Sequence, residues 1–450
     1  MKQILITNAR IINEKEDFEG SLLIKNGLIE EIFYKDHKIP GHIFSDSNQI
    51  NAKGKLLLPG IIDDQVHFRE PGLEHKAEIK TESKAAIAGG ITSFMEMPNT
   101  KPPAITIEEL EKKYKTAAET SYANYSFYFG ATNDNINELK KIDPLKVCGV
   151  KVFMGSSTGN MLVDDQQALN SIFRESPVII TTHCEDEGTI KNNLNRHINK
   201  YGENIPISCH PVIRSEEACY KSSSYAVQLA KKHHSKLHIL HLSTEKELDL
   251  FDHTLPRKDK KITAEACIHH LWFDDKDYQK FGTRIKWNPA IKTSKDRKAL
   301  INGIIENKID IIATDHAPHT IEEKSKNYVN APSGGPMVQH SLLVMLDFYH
   351  NGKLSLNQIA DKMCHAPADI FNIKKRGYIK KGFQADVVLV DLQKPHQVAK
   401  NNLYYKCGWS PMEGHTFKSS VTHTFVNGIL VYESGKFNEI KAAERLEFNR

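Results

Sequence analysis

Short apolar runs return eight times between residues 60 and 314, at 60–68, 91–98, 125–131, 150–154, 178–183, 237–241, 262–268 and 309–314. Polar stretches with helical spacing, such as 76–88 and 215–232, separate most of them. An apolar run without strict alternation suits a strand covered on both faces, and a helix after each strand is the unit of a parallel sheet. Eight such units close on themselves, so the pattern predicts an α/β chain folded as a (β/α)8 TIM-like barrel.

The two ends have a different texture. Ile4-Leu5-Ile6, Ala9-Arg10-Ile11-Ile12 and Ser21-Leu22-Leu23-Ile24 read as short strands, with Lys25-Asn26-Gly27 as a hairpin turn. Near the other end, 385–391, 421–426 and 429–432 read as strands, the last two joined at Asn427-Gly428. Neither end is large enough to hold a core alone. Pairing them into one small β-sandwich gives three segments: 1–57 as its first part, 58–375 as the barrel, and 376–450 as its second part and tail. There is no internal repeat.

Bulk composition narrows the function. Sixty basic residues against 56 acidic leave a net charge of +4, too balanced for a nucleic-acid or membrane-surface partner. No apolar stretch reaches the ~18 residues of a membrane span. The start of the chain enters a strand pattern directly and does not read as a signal peptide. Seven scattered cysteines, with no Cys-x-x-Cys pair, suit a reduced, cytoplasmic setting. The 22 histidines, several in apolar surroundings, direct attention to metal ligands.

The reactive residue types gather at the predicted strand ends. The first run leads through Gln65-Val66-His67-Phe68-Arg69-Glu70-Pro71-Gly72, where residues two apart share a face. The second ends Met97-Pro98-Asn99-Thr100, the fifth His183-Cys184-Glu185, the sixth His241-Leu242-Ser243-Thr244, and the eighth Asp315-His316-Ala317-Pro318-His319. Lys151 lies inside the fourth, between Val150 and Val152, where a buried ammonium is costly. Alone, each has a plainer reading: a core histidine, a helix cap at Asp315, a turn at Asn99, an ion pair at Arg69 or Lys151. Together they would converge, because barrel strands end on one face.

These same motifs resemble those of cyclic amidohydrolases, and of dihydroorotases of the long bacterial type in particular. The resemblance runs over nearly the whole chain and includes Lys151 in Lys-Val-Phe-Met and the run Gly377 to Asp386. The segment from Tyr404 to Gly414, with Trp409-Ser410-Pro411 and Glu413-Gly414, belongs to it too. It implies one or two Zn2+ ions per chain, held by His67, Lys151, His183, His241 and Asp315, with Lys151 carboxylated as a bridge in many relatives. It implies that Arg69, Asn99 and His319 contact a substrate carboxylate and that Asn288 lies near the ring. Asp315 would be the catalytic proton carrier in reversible hydrolysis of a cyclic amide in pyrimidine biosynthesis. A homodimer and association with a transcarbamoylase are the implied protein partners. The nearest alternatives are an allantoinase or a dihydropyrimidinase, or a non-catalytic barrel that supports a transcarbamoylase.

The family motif has histidine where this chain has Gln65. An amide oxygen is a weaker zinc ligand than an imidazole. Three outcomes follow: Asp63 assists from behind, one metal position is weak, or catalysis is lost. His269-His270 is expected to pack at the barrel rim and Cys184 as a small core thiol, while Arg214, Glu216 and Glu217 either orient His183 from behind or, the plainer reading, form a salt bridge at a helix start. The 156–160 loop is expected near the site as a lid or an ordinary surface loop.

Overall fold

The computed structural model describes residues 3–155 and 161–450; the 156–160 loop therefore lies outside the described residues. Both ends of the chain meet in one nine-stranded mixed sheet. The N-terminal part supplies β1 (Gln3–Asn13), β2 (Glu16–Lys25), β3 (Leu28–Tyr34), β4 (Ser47–Asn51) and β5 (Leu56–Pro59). Strand β5 is the seam, parallel to β1 and antiparallel to a strand at 387–391. Alternation along β5 assigns its faces. Leu57 joins Ile6, Ile11, Leu22 and Phe425 in a cluster of the sheet's own, while Leu56 and Leu58 join the main core shared with the barrel.

The barrel strands follow as β6 (Ile61–Val66), β7 (Ile91–Glu96), β8 (Asn124–Phe127), β9 (Phe129–Gly130), β10 (Val150–Phe153), β11 (Ile180–His183), β12 (Leu237–Ile239), β13 (Ile262–Cys267) and β14 (Ile311–Ala313). Every one of the eight predicted runs contains one of them, the third being split into β8 and β9 around Tyr128. All neighbouring pairs are parallel. A bridge between Val66 and His316, with the His67 amide donating to the His316 carbonyl at 2.7 Å, joins the first strand to the last. The chain returns to the sheet through β15 (Val387–Asp391), a small hairpin of β16 (His396–Gln397) and β17 (Thr416–Phe417), then β18 (Ser420–Val426), β19 (Ile429–Glu433) and β20 (Lys436–Phe437).

The intervening helices are marked by their ends. The helix Glu216–His233 starts on Ser215, whose side chain accepts from the Ala218 amide, and carries Glu216 and Glu217 in its first turn. It finishes with Lys231, Lys232 and His233 before His234 turns left-handed at φ 56°. Acids at the start and bases at the end both oppose the helix dipole. The lower barrel interior is closed by Phe371, Leu446 and Phe448 packed with Ile62, Met95, Tyr128, Ile179 and Ile311. That plug leaves the C-terminal strand ends as the open face. All seven cysteines are free. Among the described residues no helix is long and apolar enough to cross a membrane.

Candidate active site

At the open face, Gln65, His67, Arg69, Asn99, Lys151, His183, His241, Trp287, Asn288 and Asp315 line one cavity of about 410 Å³, its mouth included. They come from six of the barrel strands and one loop, up to 250 residues apart in sequence. Of the residues singled out from sequence, nine line this cavity or its wall together. His319 does not: it is fully buried behind Arg69, with its Nε2 3.1 Å from Arg69 Nη2.

Two facing pairs define the centre. His183 Nδ1 lies 3.0 Å from His241 Nε2, and His67 Nε2 lies 3.2 Å from Asp315 Oδ1. Around a cation bound at about 2.0–2.2 Å, neighbouring tetrahedral donors sit about 3.4 Å apart. Burial pushes the pKa of His67 and His183 down, and that of His241 well down, so all three imidazoles are held neutral. A neutral imidazole is the form that ligates metal.

The ring orientations are set from behind. His67 Nδ1 lies 2.8 Å from Asn99 Oδ1, so Nδ1 carries the proton and Nε2 presents its lone pair to the cavity. Glu185 Oε2 lies 2.9 Å from His183 Nε2, which likewise leaves Nδ1 as the free donor. Burial by itself would raise the Glu185 pKa, but Arg214, paired to the same carboxylate, and His183 bring it down to about 2. A carboxylate behind a histidine is the usual support for a metal ligand. Arg214 thus reaches the site through Glu185 and is more than a helix-start salt bridge. Glu185 was visible in the sequence only as a residue beside His183; nothing local marked its role.

Lys151 is almost fully buried, and burial lowers its pKa to about 8. Its Nζ lies 4.7 Å from the centre of the Phe153 ring and makes no hydrogen bond among the described residues. Asn288 Oδ1, buried in the cavity wall, has no hydrogen-bond partner either. Imidazole nitrogens that face one another, a bare amine and an unpaired carbonyl oxygen fit a site built to hold a cation and a polar ligand.

Gln65 faces the same centre. Its Nε2 donates to Asp315 Oδ1 at 3.3 Å, and its Oε1 accepts from Cys267 Sγ at 3.5 Å. Asp63 takes no part: it accepts from the Thr314 hydroxyl at 2.6 Å and from the Gln65 and Thr314 amides. The strand register slips between Asp63 and Val66, so the ideal alternation that placed Asp63 with Gln65 fails here.

Behind Arg69 the basic side chains stack one upon another. The Arg69 guanidinium is buried, which lowers its pKa to about 10, and its Nε donates to the Pro318 carbonyl at 3.1 Å. Lys76 donates to His319 Nδ1 at 3.0 Å and pairs with Glu323 at 3.0 Å, while His319 Nε2 lies 3.0 Å from the Ser333 carbonyl. His319 therefore fixes the wall that carries Arg69. Lys76 and Glu323 were not anticipated, because their link to the site runs through a residue 243 positions from Lys76. His269 also differs from a rim residue: it is fully buried and stacks on Trp287 at 4.5 Å.

The profile of the amidohydrolase family matches residues 56–431. The dihydroorotase of Methanothermobacter thermautotrophicus is 33% identical over 398 residues, 87% of this chain and 88% of that protein. The dihydroorotase of a Wolbachia species is 34% identical over 441 residues, 96% of each chain. Among solved structures, the L-hydantoinase (dihydropyrimidinase) of Arthrobacter aurescens superposes with a TM-score of 0.92 over all of both chains, at 24% identity, a likeness of fold.

Proposed function

The chain belongs to the amidohydrolase family, and we propose that it is a dihydroorotase, interconverting (S)-dihydroorotate and N-carbamoyl-L-aspartate in pyrimidine biosynthesis. The observation that carries this reading is the buried Arg69 guanidinium lining the same cavity as His67, His183, His241 and Asp315. Hydantoins and dihydropyrimidines bear no ring carboxylate to meet that cation. Relatives named dihydroorotase, aligned over most of the chain, support it. In this reading 58–375 is the catalytic barrel, and 1–57 with 376–450 form its sandwich.

The donor set fits Zn2+, held by His67, Lys151, His183, His241 and Asp315. When bound, the metal supplies acidity to a coordinated water and polarises the amide carbonyl. A depressed pKa leaves part of the Lys151 amine neutral near pH 8, the form that adds CO2 to give a carbamate and release a proton. The carbamate would exchange a buried cation for a ligand anion.

Arg69 and Asn99 orient the substrate through its carboxylate, with a charge-assisted pair at Arg69. His319 and Lys76 hold Arg69 in place. Asn288 Oδ1 accepts from a ring N–H. Asp315 takes the proton of the attacking water as the C–O bond forms. It then delivers the proton to the ring nitrogen as the amide C–N bond breaks, so the proton count closes.

The test is a direct assay on dihydroorotate, dihydrouracil, hydantoin and allantoin with zinc added. Turnover confined to dihydroorotate is expected. Preference for a carboxylate-free ring would replace the reading with a hydantoinase or allantoinase. No turnover on any of them, with less than about one zinc per chain, would leave a non-catalytic barrel that supports a transcarbamoylase. A cytoplasmic location, a homodimer and association with a transcarbamoylase complete the proposal; sedimentation of the chain alone and mixed with that enzyme tests the last two.

A further inference from the structure

Below the catalytic cavity, inside the barrel, Asp64 on β6, His238 on β12 and Glu265 on β13 turn their polar atoms toward one another. All three side chains are fully buried. His238 Nε2 lies 3.3 Å from Asp64 Oδ2 and 3.5 Å from Glu265 Oε2. Among the described residues, both carboxylate oxygens of Asp64, Oε2 of Glu265 and Nε2 of His238 lack a hydrogen-bond partner. The neighbouring Tyr128 hydroxyl donates to the Asp64 carbonyl at 2.9 Å and not to its carboxylate. Two buried carboxylates faced by one imidazole at 3.3 and 3.5 Å, outside hydrogen-bonding geometry, are costly for a core.

We propose that Asp64, His238 and Glu265 form a second divalent-cation site, separate from the catalytic one, occupied by zinc or a similar transition metal. The donor atoms are one imidazole nitrogen and two carboxylates, whose charge a single divalent ion neutralises. The tautomer is set for it. Thr263 Oγ1 lies 2.8 Å from His238 Nδ1 and its own hydroxyl is directed at the Leu237 carbonyl, so Nδ1–H is the donor in that pair. That leaves the Nε2 lone pair aimed between the two carboxylates. The 3.3 and 3.5 Å separations match the ~3.4 Å edge of a tetrahedron with metal–donor bonds of about 2.0–2.2 Å. They are long for the metal-free alternative, an imidazolium bonded to the carboxylates at about 2.7–2.9 Å.

The site ties the first, sixth and seventh barrel strands together just below the reacting layer. Glu265 Oε1 accepts from the His241 backbone amide at 2.9 Å, and Cys267 Sγ lies 3.4 Å from the same oxygen. A cation on the other oxygen would therefore steady the backbone of a catalytic ligand.

Crystals of the full chain grown with zinc chloride, measured at the zinc absorption edge, test the proposal. The expected map has an anomalous peak among Asp64, His238 and Glu265 in addition to density between His183 and His241. Asp64→Asn is expected to erase the first peak and to lower zinc content by about one ion per chain, read by elemental analysis. A map with zinc at His183 and His241 alone would overturn it, as would a water or a direct imidazole–carboxylate bond among the three. A map without zinc at either place overturns it equally. If Asp64→Asn does not fold, the wild-type map decides by itself.

Discussion

The side-chain amide of Gln65 donates to Asp315 Oδ1 at 3.3 Å across the seam where the first barrel strand meets the last. The residue that departs from the family motif thus sits on the group proposed for proton transfer, and in the proposed site it would offer the weaker ligand type.

Replacing it by the family's imidazole should strengthen metal binding. Gln65→His is expected to raise the zinc bound per chain at a fixed free-zinc concentration. Equilibrium dialysis with elemental analysis checks this, and an unchanged stoichiometry would mean that position 65 does not face the metal.

Asp315→Ala removes the proposed proton carrier. Loss of a general base or acid costs about 10²–10⁴-fold in rate, and loss of a ligand adds to it. Turnover should vanish while circular dichroism and the thermal transition stay close to wild type. Full activity in this variant would refute the role.

Arg69→Lys keeps the charge but loses the planar fork. On dihydroorotate kcat/KM should fall roughly 10–150-fold, the equivalent of about 1.5–3 kcal/mol for a hydrogen bond to a charged group. Any residual activity on hydantoin should not fall in parallel. Equal losses on both rings would show that Arg69 supports structure and not the carboxylate.

Glu185 and Asn99 act through the histidines they hold. Glu185→Gln is expected to weaken zinc affinity by about 10–100-fold, the usual cost of losing a partner behind a ligand. Competition with a chromophoric chelator measures it. Asn99→Ala should weaken zinc too and also raise KM for dihydroorotate, since Asn99 holds His67 and in the proposed site also meets the substrate.

The core offers a check on the seam between sheet and barrel. Leu58 is fully buried in the main cluster and comes from β5, which joins both ends of the chain. Leu58→Ala should cost about 2–5 kcal/mol. Urea denaturation would show this as a lower midpoint with an unchanged slope.

Local chemistry was enough to mark the barrel strands, the two-ended sheet and most of the residues that line the cavity, because strand burial and helix capping repeat over a few residues. Each of the eight expected runs holds a strand of the barrel, and the Ser215 cap opens the helix expected at 215–232. What the chain alone could not specify is what stands behind each functional group. Glu185 beneath His183, Lys76 against His319, and His238 between Asp64 and Glu265 are joined by contacts 2, 243 and 174 or 27 residues apart, through space and not through spacing.

The slip in β6 shows the same division. Alternation put Asp63 beside Gln65, but closing the barrel onto β14 gave Asp63 to Thr314 and turned Asp64 inward to His238. By itself the sequence determined which residue types would reach the barrel's strand ends, since that depends on short-range periodicity. Which of them touch, in what protonation state and with what support, was decided only by closure of the barrel, because burial and electrostatic partnership are properties of the packed whole.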